Sequence, residues 1–410
     1  MAPKSKKSTP ITDYASICAN ASGIAVQKAF NQLGPVNKFE DLLYPGVVPG
    51  AKELAAEQVF HMVEGWRYAS AAVGAFLNNS HQTSLHFAYY AELRAALSLL
   101  SWSGIRVKQD AHYYVNHLGV RQIVKSSPTH KAVWGLWQHW TARPDAKSLF
   151  EDQIKLTTEV PLSEVLKGLQ YVKPTKTIQG WGVDLAKVSD DHTARNISSY
   201  DAYWMKAPLT KTDRADLDLV LMLWKLLLPE EAGLTFDSAL ISYFVSEALP
   251  GMLGTDSVTD AEKIAALEIM AEEISTNTGL DADRIARRLS STQYDKLPFE
   301  LASSSRAAPR NVLCRCFFLL RLSMLATKTS MDLATNKSAT LWLKHWFEHA
   351  GLWSASSDVE PYDISEDYST AVNFLQTSGA PISELWGAPN IVSSIKLTRP
   401  EACMVWNVIE

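Results

Sequence analysis

The chain of 410 residues has few cysteines, no excess of positive charge and no long uninterrupted apolar run. Its four cysteines are too few and too badly spaced for a disulfide framework, which favours free thiols in a reducing, cytoplasmic compartment. The formal net charge of −5 excludes a global field that attracts nucleic acid, so such binding would need a local basic patch.

The two longest apolar runs are each interrupted by charged side chains. Leu217–Leu228 contains one acidic and one basic residue, and Val312–Ala326 contains two arginines. Both runs are too short and too charged to span a bilayer, so they predict buried core helices and no membrane association. The basic segment 1–12 has no apolar segment behind it, so we predict a disordered tail and no secretory signal.

Several common catalytic and metal-binding motifs are also missing. The sequence contains no Walker loop, no GxGxxG, no GxSxG and no pair of CxxC motifs. His345 and His349 lie one helical turn apart, a spacing that zinc can use, but the HExxH order and a nearby third ligand are missing. We therefore predict neither a metal site nor a cofactor.

Helical periodicity dominates the rest of the chain. In Ala51–Leu77 the apolar residues recur at steps of four and three, and a second helical pattern, His81–Ile105, begins after a three-residue polar linker. Two long helices joined in this way favour an antiparallel hairpin. In the second pattern Gly104 is placed to end the helix. Four residues are expected to face a core: Leu93, Ala96, Leu97 and Leu100.

The second helix also carries a polar line along one side. His86, Tyr90 and Arg94 follow each other at intervals of four residues, which places them on one face. Because an imidazole and a guanidinium are costly to bury without partners, this line is expected to face solvent, a dimer interface or a cleft.

The periodicity changes after Gly104. Alternating residues between about 105 and 125 predict a small β-hairpin excursion, after which a helix begins near Thr129, the predicted N-cap. The fold class predicted is mainly α, with a helical domain over 13–205 that contains the excursion and a second helical domain over 206–410. Nothing in the second domain identifies an activity.

Two motifs in this order resemble the HEPN family (higher eukaryotes and prokaryotes nucleotide-binding). The first is the helix YYA-x-x-x-AA-x-x-LL-x-x-x-GI, from Tyr89 to Ile105, and the second is Thr129-His130-Lys131 at the start of the next helix. The resemblance covers about residues 51–204. It implies an α-helical bundle, homodimers and a role in bacterial defence or toxin–antitoxin systems that act on RNA.

The family's ribonucleases use an Arg-x(4–6)-His motif, often with Asn or Asp after the arginine. This sequence has Arg195-Asn196 followed by Tyr200 where the histidine is expected. A phenol with a pKa of about 10 is a poorer base than an imidazole. The resemblance implies that Arg195 holds the phosphate, Asn196 orients it, and Tyr200 or His192 handles the proton. The alternative is that Arg195 pairs with a neighbouring aspartate at a helix start.

A second group of residues is expected to bind substrate. In a family dimer, the line His86, Tyr90 and Arg94 would contribute to a composite site, and His130 and Lys131 at a helix N-terminus could bind a phosphate. The alternatives are a solvated or dimer-facing stripe for the line, and capping and a surface charge for His130 and Lys131.

The only literal Arg-x(5)-His match, Arg106 to His112, lies in the β-excursion. On a straight strand these two residues would be separated by about 20 Å.

Two functional hypotheses follow from these patterns. The first is an HEPN-like, metal-independent ribonuclease of the bacterial defence or toxin type that acts as a homodimer. The second is a non-catalytic HEPN-like scaffold or sensor that binds a nucleotide, RNA or a partner protein encoded nearby; the replacement of the histidine by Tyr200 motivates it.

Overall fold

The fold is mainly α, as the periodicity predicts. The computed structural model describes residues 13–34, 50–108, 112–124, 128–169, 213–230, 233–254, 258–290, 294–304, 306–352, 369–370, 372–373, 398–404 and 407–408. The helices of this part are α1 Tyr14–Asn20, α2 Gly23–Phe30, α3 Ala51–Leu77, α4 His81–Trp102, α5 Thr129–Trp140, α6 Pro144–Gln153, α7 Leu162–Gly168, α8 Arg214–Leu226, α9 Thr235–Leu253, α10 Asp260–Thr278, α11 Ala282–Leu289, α12 Leu297–Ser303, α13 Pro309–Asp332 and α14 Ser338–His349. A 3₁₀ turn follows at Pro400–Ala402.

Helices α3 and α4 form the antiparallel hairpin that the sequence predicts. Their linker turns at Asn79, whose φ is +59°. The ring centroids of Phe76 and His81 lie 4.9 Å apart next to the linker, and at the far end the Ser98 hydroxyl donates to the Gln58 carbonyl at 2.8 Å. The four residues of α4 that were expected to face a core are all buried.

The β-excursion is a three-stranded antiparallel sheet. Strand β1 (Ile105–Arg106) pairs with β2 (Tyr113–Val115), which pairs with β3 (Arg121–Ile123). In the register of the first pair, Arg106 lies opposite Tyr113. Because β1 and β2 are antiparallel, Arg106 and His112 do not lie on one straight strand, and the separation of about 20 Å does not apply to them.

Buried charges attach this sheet to α3. One terminal nitrogen of Arg106, Nη2, lies 2.6 Å from a carboxylate oxygen of Glu53 and 2.7 Å from one of Glu57. The hydroxyl of Tyr113 donates to the other oxygen of Glu53 at 2.7 Å, and the Arg121 guanidinium lies over the Tyr113 ring. Because each buried charge has a partner here, the network can lie in the core.

Two short two-stranded sheets complete the β-structure of the described residues. Strands β4 (Lys155–Thr157) and β5 (Val160–Pro161) pair before α7, and β6 (Pro229–Glu230) and β7 (Gly233–Leu234) pair between α8 and α9.

Helix α13 packs against both helices of the hairpin. The rings of Trp66 and Phe317 meet edge to face at 5.6 Å, and the Leu320 side chain occupies the space beside Gly65. Helices from both predicted domains thus contribute to one hydrophobic core. The predicted boundary at 205/206 and the predicted tail 1–12 lie outside the described residues, so the two-domain division stays a prediction.

The two apolar runs lie in α8 and α13 and are buried in the core, as predicted. The two arginines within the apolar run of α13 are buried with carboxylate partners: Arg315 lies 3.5 Å from Glu92, and Arg321 binds Asp237. In the described part of the chain, no helix has the length and apolar character needed to cross a membrane.

All four cysteines are free and buried, as the sequence predicts for free thiols. Burial raises the pKa of Cys18 and of Cys314 to about 12. Their thiols therefore stay protonated, and they act as small apolar core groups.

Candidate functional site

The polar line on α4 forms part of an aromatic surface. The rings of His86 and Tyr90, one turn apart, have centroids separated by 4.9 Å. Tyr68 of α3 stacks on Tyr90 at 5.4 Å and lies 6.2 Å from the ring of Phe87. These four side chains are half-buried, so one side of the group remains open to solvent.

The first turn of α5 brings His130 to the same surface. Its Nδ1 lies 2.9 Å from the hydroxyl of Tyr89, and its ring lies 6.3 Å from that of Tyr90. The indole N–H of Trp134 donates to the same Tyr89 hydroxyl at 3.3 Å. We call the seven residues Tyr68, His86, Phe87, Tyr89, Tyr90, His130 and Trp134 the aromatic–imidazole cluster.

The hydrogen bonds in the cluster favour one tautomer of His130. An indole N–H can only donate, so Tyr89 accepts from Trp134, and its own hydrogen can then be donated to Nδ1 of His130. A neutral His130 that accepts at Nδ1 carries its proton on Nε2. In this state the imidazole offers a donor, the type of group that binds a phosphate oxygen, and it has no free nitrogen to act as a base.

The N-cap residue of α5 makes no side-chain hydrogen bond to the helix. Pro128 is the N-cap residue and Thr129 is already helical, so the prediction of a Thr129 cap is wrong. Pro128 therefore offers the backbone N–H groups of the first turn no side-chain acceptor. The exposed Lys131 side chain follows directly. This end of α5 favours negative charge through its orphan N–H groups, the helix dipole and the lysine.

Arg94 lies on the same face of α4 but contacts a different residue. Its Nη1 lies 3.1 Å from Nδ1 of His61 on α3. Burial, together with the charge of Arg94, lowers the pKa of His61 to about 3, so this imidazole is neutral and accepts the hydrogen bond. Among the described residues no carboxylate forms an ion pair with Arg94.

The structure thus brings three of the five predicted substrate-binding residues together: His86, Tyr90 and His130. Lys131 adjoins them at the open helix end, whereas Arg94 lies one turn along α4 beside His61.

The four predicted catalytic residues lie outside the described residues: Arg195, Asn196, Tyr200 and His192.

Two other histidine motifs lie within the described residues. Arg106 is buried between two glutamates, and Nδ1 of the buried His112 accepts from the backbone N–H of Lys108 at 3.2 Å. The rings of His345 and His349 lie 4.2 Å apart. Within the described ranges, no group of three or more His, Cys, Asp or Glu side chains is arranged to hold a metal.

Sequence reasoning missed Tyr68 and His61. Both lie on α3, seven residues apart and thus on one helical face, opposite the polar line of α4. Aligning the two helices as an antiparallel pair from their linker would have identified them.

Comparison with protein-family models, with curated proteins and with solved structures finds no match for this chain. The resemblance to the HEPN family therefore stays a prediction, carried by the motifs themselves.

Proposed function

We propose that this chain is an HEPN-like protein that binds RNA through the aromatic–imidazole cluster and cleaves it without a metal. The observation that carries the proposal is the position of His130, which is held by Tyr89 in the first turn of α5 and lies beside the half-buried ring of Tyr90. Aromatic rings offer stacking surfaces to unpaired bases, and donors at a helix N-terminus suit phosphate oxygens.

Charge is consistent with this surface despite the acidic chain. Lys131 and Arg94 are cations with no carboxylate ion pair among the described residues. Such unneutralised cations can replace the counterions of an RNA backbone locally, while the net charge of −5 limits non-specific binding elsewhere.

Cleavage is assigned to the Arg195 motif. Metal-independent cleavage moves the proton of the ribose 2′-hydroxyl to a base while its oxygen attacks phosphorus, and an acid protonates the departing 5′-oxygen. In the proposal Arg195 stabilises the phosphate charge, Asn196 orients it, and Tyr200 or His192 moves the proton. His130 donates a hydrogen bond to a phosphate oxygen and does not act as the base.

A nuclease assay in EDTA tests the catalytic part of the proposal. Purified wild-type protein and Arg195→Ala are incubated with mixed RNA, with Arg214→Ala as a control because that arginine is exposed and pairs with Asp218 on α8. We expect cleavage by the wild type and the control, and a loss of at least about 100-fold in Arg195→Ala. Equal cleavage by all three proteins, or none by the wild type, would contradict the assignment.

Binding is measured separately, by anisotropy of a labelled single-stranded RNA at several salt concentrations. Tyr90→Ala removes one stacking ring and should weaken binding by about 5- to 100-fold. Lys131→Ala should weaken binding of all sequences and reduce the salt slope by about one, whereas the exposed Lys28 of α2 provides a control, Lys28→Ala, that should change neither. If Tyr90→Ala and Lys131→Ala bind RNA as tightly as the control, the cluster is not the RNA surface.

The second candidate is a non-catalytic HEPN-like scaffold or sensor that binds a nucleotide, RNA or a partner protein. The hydrogen bond between Nδ1 of His130 and Tyr89 favours it, because that nitrogen is engaged and is not open to act as a base. This candidate predicts that RNA or a nucleotide raises the melting temperature while no RNA is cleaved. A melting temperature that no RNA, nucleotide or co-purified protein raises would remove its basis.

The remaining parts of the proposal follow from the resemblance alone. We propose a cytoplasmic homodimer that acts in bacterial defence or as a toxin, with a partner protein encoded nearby. Light scattering measures the oligomeric state, and co-expression with the neighbouring gene product tests for the partner.

A further inference from the structure

A pair of lysines lies at a second place in the fold, far along the chain from the cluster. Lys263 belongs to the first turn of α10, and Lys296 directly precedes α12. Both side chains are half-buried and line one pocket of about 250 Å³. The other residues that line it are Ser242, Val245, Ser246, Leu289, Tyr294 and Asp295.

The charges of this pair are not neutralised by contact. Among the described residues, no carboxylate lies within ion-pair distance of either ammonium group. Burial lowers the pKa of Lys296, and the like charge of Lys263 lowers it further, while the charges of Glu247 and Glu300 act in the opposite direction. Two ammonium groups that line one pocket without an ion-paired carboxylate among the described residues favour an anion between them.

The rest of the lining offers one adaptable donor, an apolar side and the exposed carboxylate of Asp295. The buried Ser242 hydroxyl makes only a long hydrogen bond, 3.5 Å, to the Leu289 carbonyl. The hydroxyls of Ser246 and Tyr294 are more firmly held, at 2.8 Å, by the Tyr243 carbonyl and by Glu230. Ser242 can therefore turn towards a bound anion at little cost.

We propose that this pocket binds the phosphate group of a small molecule, with Lys263 and Lys296 as its two cationic ligands. Two positive charges match the two negative charges of a phosphate or phosphomonoester, and a carboxylate would neutralise only one of them. The volume lies below the range of about 300–1,000 Å³ that holds drug-sized ligands, so the ligand is small. Val245 and Leu289 would contact its non-phosphate part.

Thermal unfolding of the full chain tests this proposal with defined probes. Inorganic phosphate, glycerol phosphate and acetate are added separately to the wild type, Lys263→Gln, Lys296→Gln and the control Lys28→Gln. At ten times the dissociation constant, we expect phosphate or glycerol phosphate to raise the melting temperature of the wild type and the control by about 1–3 °C. Both pocket variants should lose this shift.

The melting temperature without added ligand provides the second readout. Since each pocket variant removes the repulsion between two like charges, it should unfold at the same or a higher temperature than the wild type when no anion is present. A variant that has merely lost structure would unfold at a lower temperature than the wild type. If one of the two lysine variants does so, the other variant is used for the test.

The three probes separate the sources of the anion. A response to inorganic phosphate alone identifies free phosphate as the ligand, and a stronger response to glycerol phosphate identifies a phosphomonoester. The proposal is overturned if neither phosphate raises the melting temperature, if acetate acts equally well, or if the pocket variants respond like the wild type.

Discussion

At the scale of single residues, the cluster depends most on the hydroxyl of Tyr89. The ring of Tyr89 is buried, and its hydroxyl joins Trp134 of the α5 interior to His130 at the α5 start. A single oxygen thus satisfies a buried indole N–H and also orients the imidazole that faces the open surface. Chains of hydrogen bonds of this type strengthen one another in a low-dielectric interior.

Tyr89→Phe removes this oxygen and keeps the ring. Because the Trp134 N–H then lies buried without an acceptor, we expect the free energy of unfolding to fall by about 1–3 kcal/mol. RNA affinity should fall as well, since His130 loses its orientation. Urea unfolding and anisotropy measure the two effects. The matched control is Tyr68→Phe in the same cluster, where only ring contacts are involved, and a loss as large in this control would contradict the prediction.

Two buried carboxylates share one arginine beside the sheet. Glu53 and Glu57 both approach Nη2 of Arg106. Burial raises the pKa of Glu57 above its ordinary value of 4.5, Arg106 opposes this, and the charge of Glu53 adds to it. A carboxyl whose pKa is higher in the folded than in the unfolded protein binds a proton on folding. Its contribution therefore favours the folded state below the unfolded pKa and is lost as pH rises through the raised value.

Glu57→Gln should remove this pH dependence, because the amide stays neutral. We expect the stability of the variant relative to the wild type to improve as pH rises above about 4.5. Urea unfolding of both proteins at several pH values between 4.5 and 8 measures it. The exposed Glu159 provides a control, Glu159→Gln, for the charge change itself. A difference between wild type and Glu57→Gln that stays constant over this pH range would contradict the prediction.

At the scale of elements, the end of α4 is set by Gly104. Its φ is +88°, and a Cβ built on it would lie 2.7–2.9 Å from the backbone of Ser22. The Gly104 carbonyl accepts from the N–H of Val115, and Ser22 donates to the Val115 carbonyl. Gly104 thus ends the helix and starts the sheet, and its missing side chain lets the backbone of Ser22, directly before α2, pack against it.

Gly104→Ala should destabilise the protein by more than about 2 kcal/mol, because the left-handed conformation and the contact with rigid backbone both oppose a side chain. Gly119→Ala is the matched control, since its φ is +75° but nothing lies within 4 Å of the added carbon. We expect the control to lose only about 1–2 kcal/mol. Thermal or urea unfolding compares them; equal losses would show that the contact with Ser22 has no effect.

At the scale of the whole molecule, α13 connects the two halves of the sequence. It lies along α3 and α4, and its side chains complete their core through Phe317 and Leu320. A buried hydrogen bond also joins α3 to α13, where the Gln58 amide donates to the Ser330 hydroxyl at 3.3 Å. The hairpin that carries the candidate RNA surface therefore depends on a helix encoded more than 200 residues later.

A fragment of residues 1–205 should not fold cooperatively by itself. Without α13 the apolar groove between α3 and α4 is open to water, and the buried Glu92 loses Arg315. Circular dichroism during heating measures the cooperativity of the fragment, and co-expression with 206–410 should restore it. A monomeric fragment with a sharp unfolding transition would instead support two independent domains.

The sequence by itself determined the local structure. Periodicity identified the α3–α4 hairpin, the change of period located the β-strands between 105 and 123, and Gly104 was correctly predicted to end a helix. These features follow from short-range rules of spacing and turn chemistry. The sequence also predicted that His86 and Tyr90 lie on one face of α4, because this prediction requires only the helical repeat.

Tertiary structure alone decided which surfaces are covered and which partners the polar groups find. Glu92 was not predicted to be buried, yet it lies under α13 with Arg315. His130 and Tyr89 are 41 residues apart and meet only because α5 packs on α4. The lysine pocket likewise joins residues from four segments: α9, α10, α11 and the residues directly before α12. No periodicity encodes such contacts, since they depend on how distant elements pack, and the chemistry of both proposed sites comes from them.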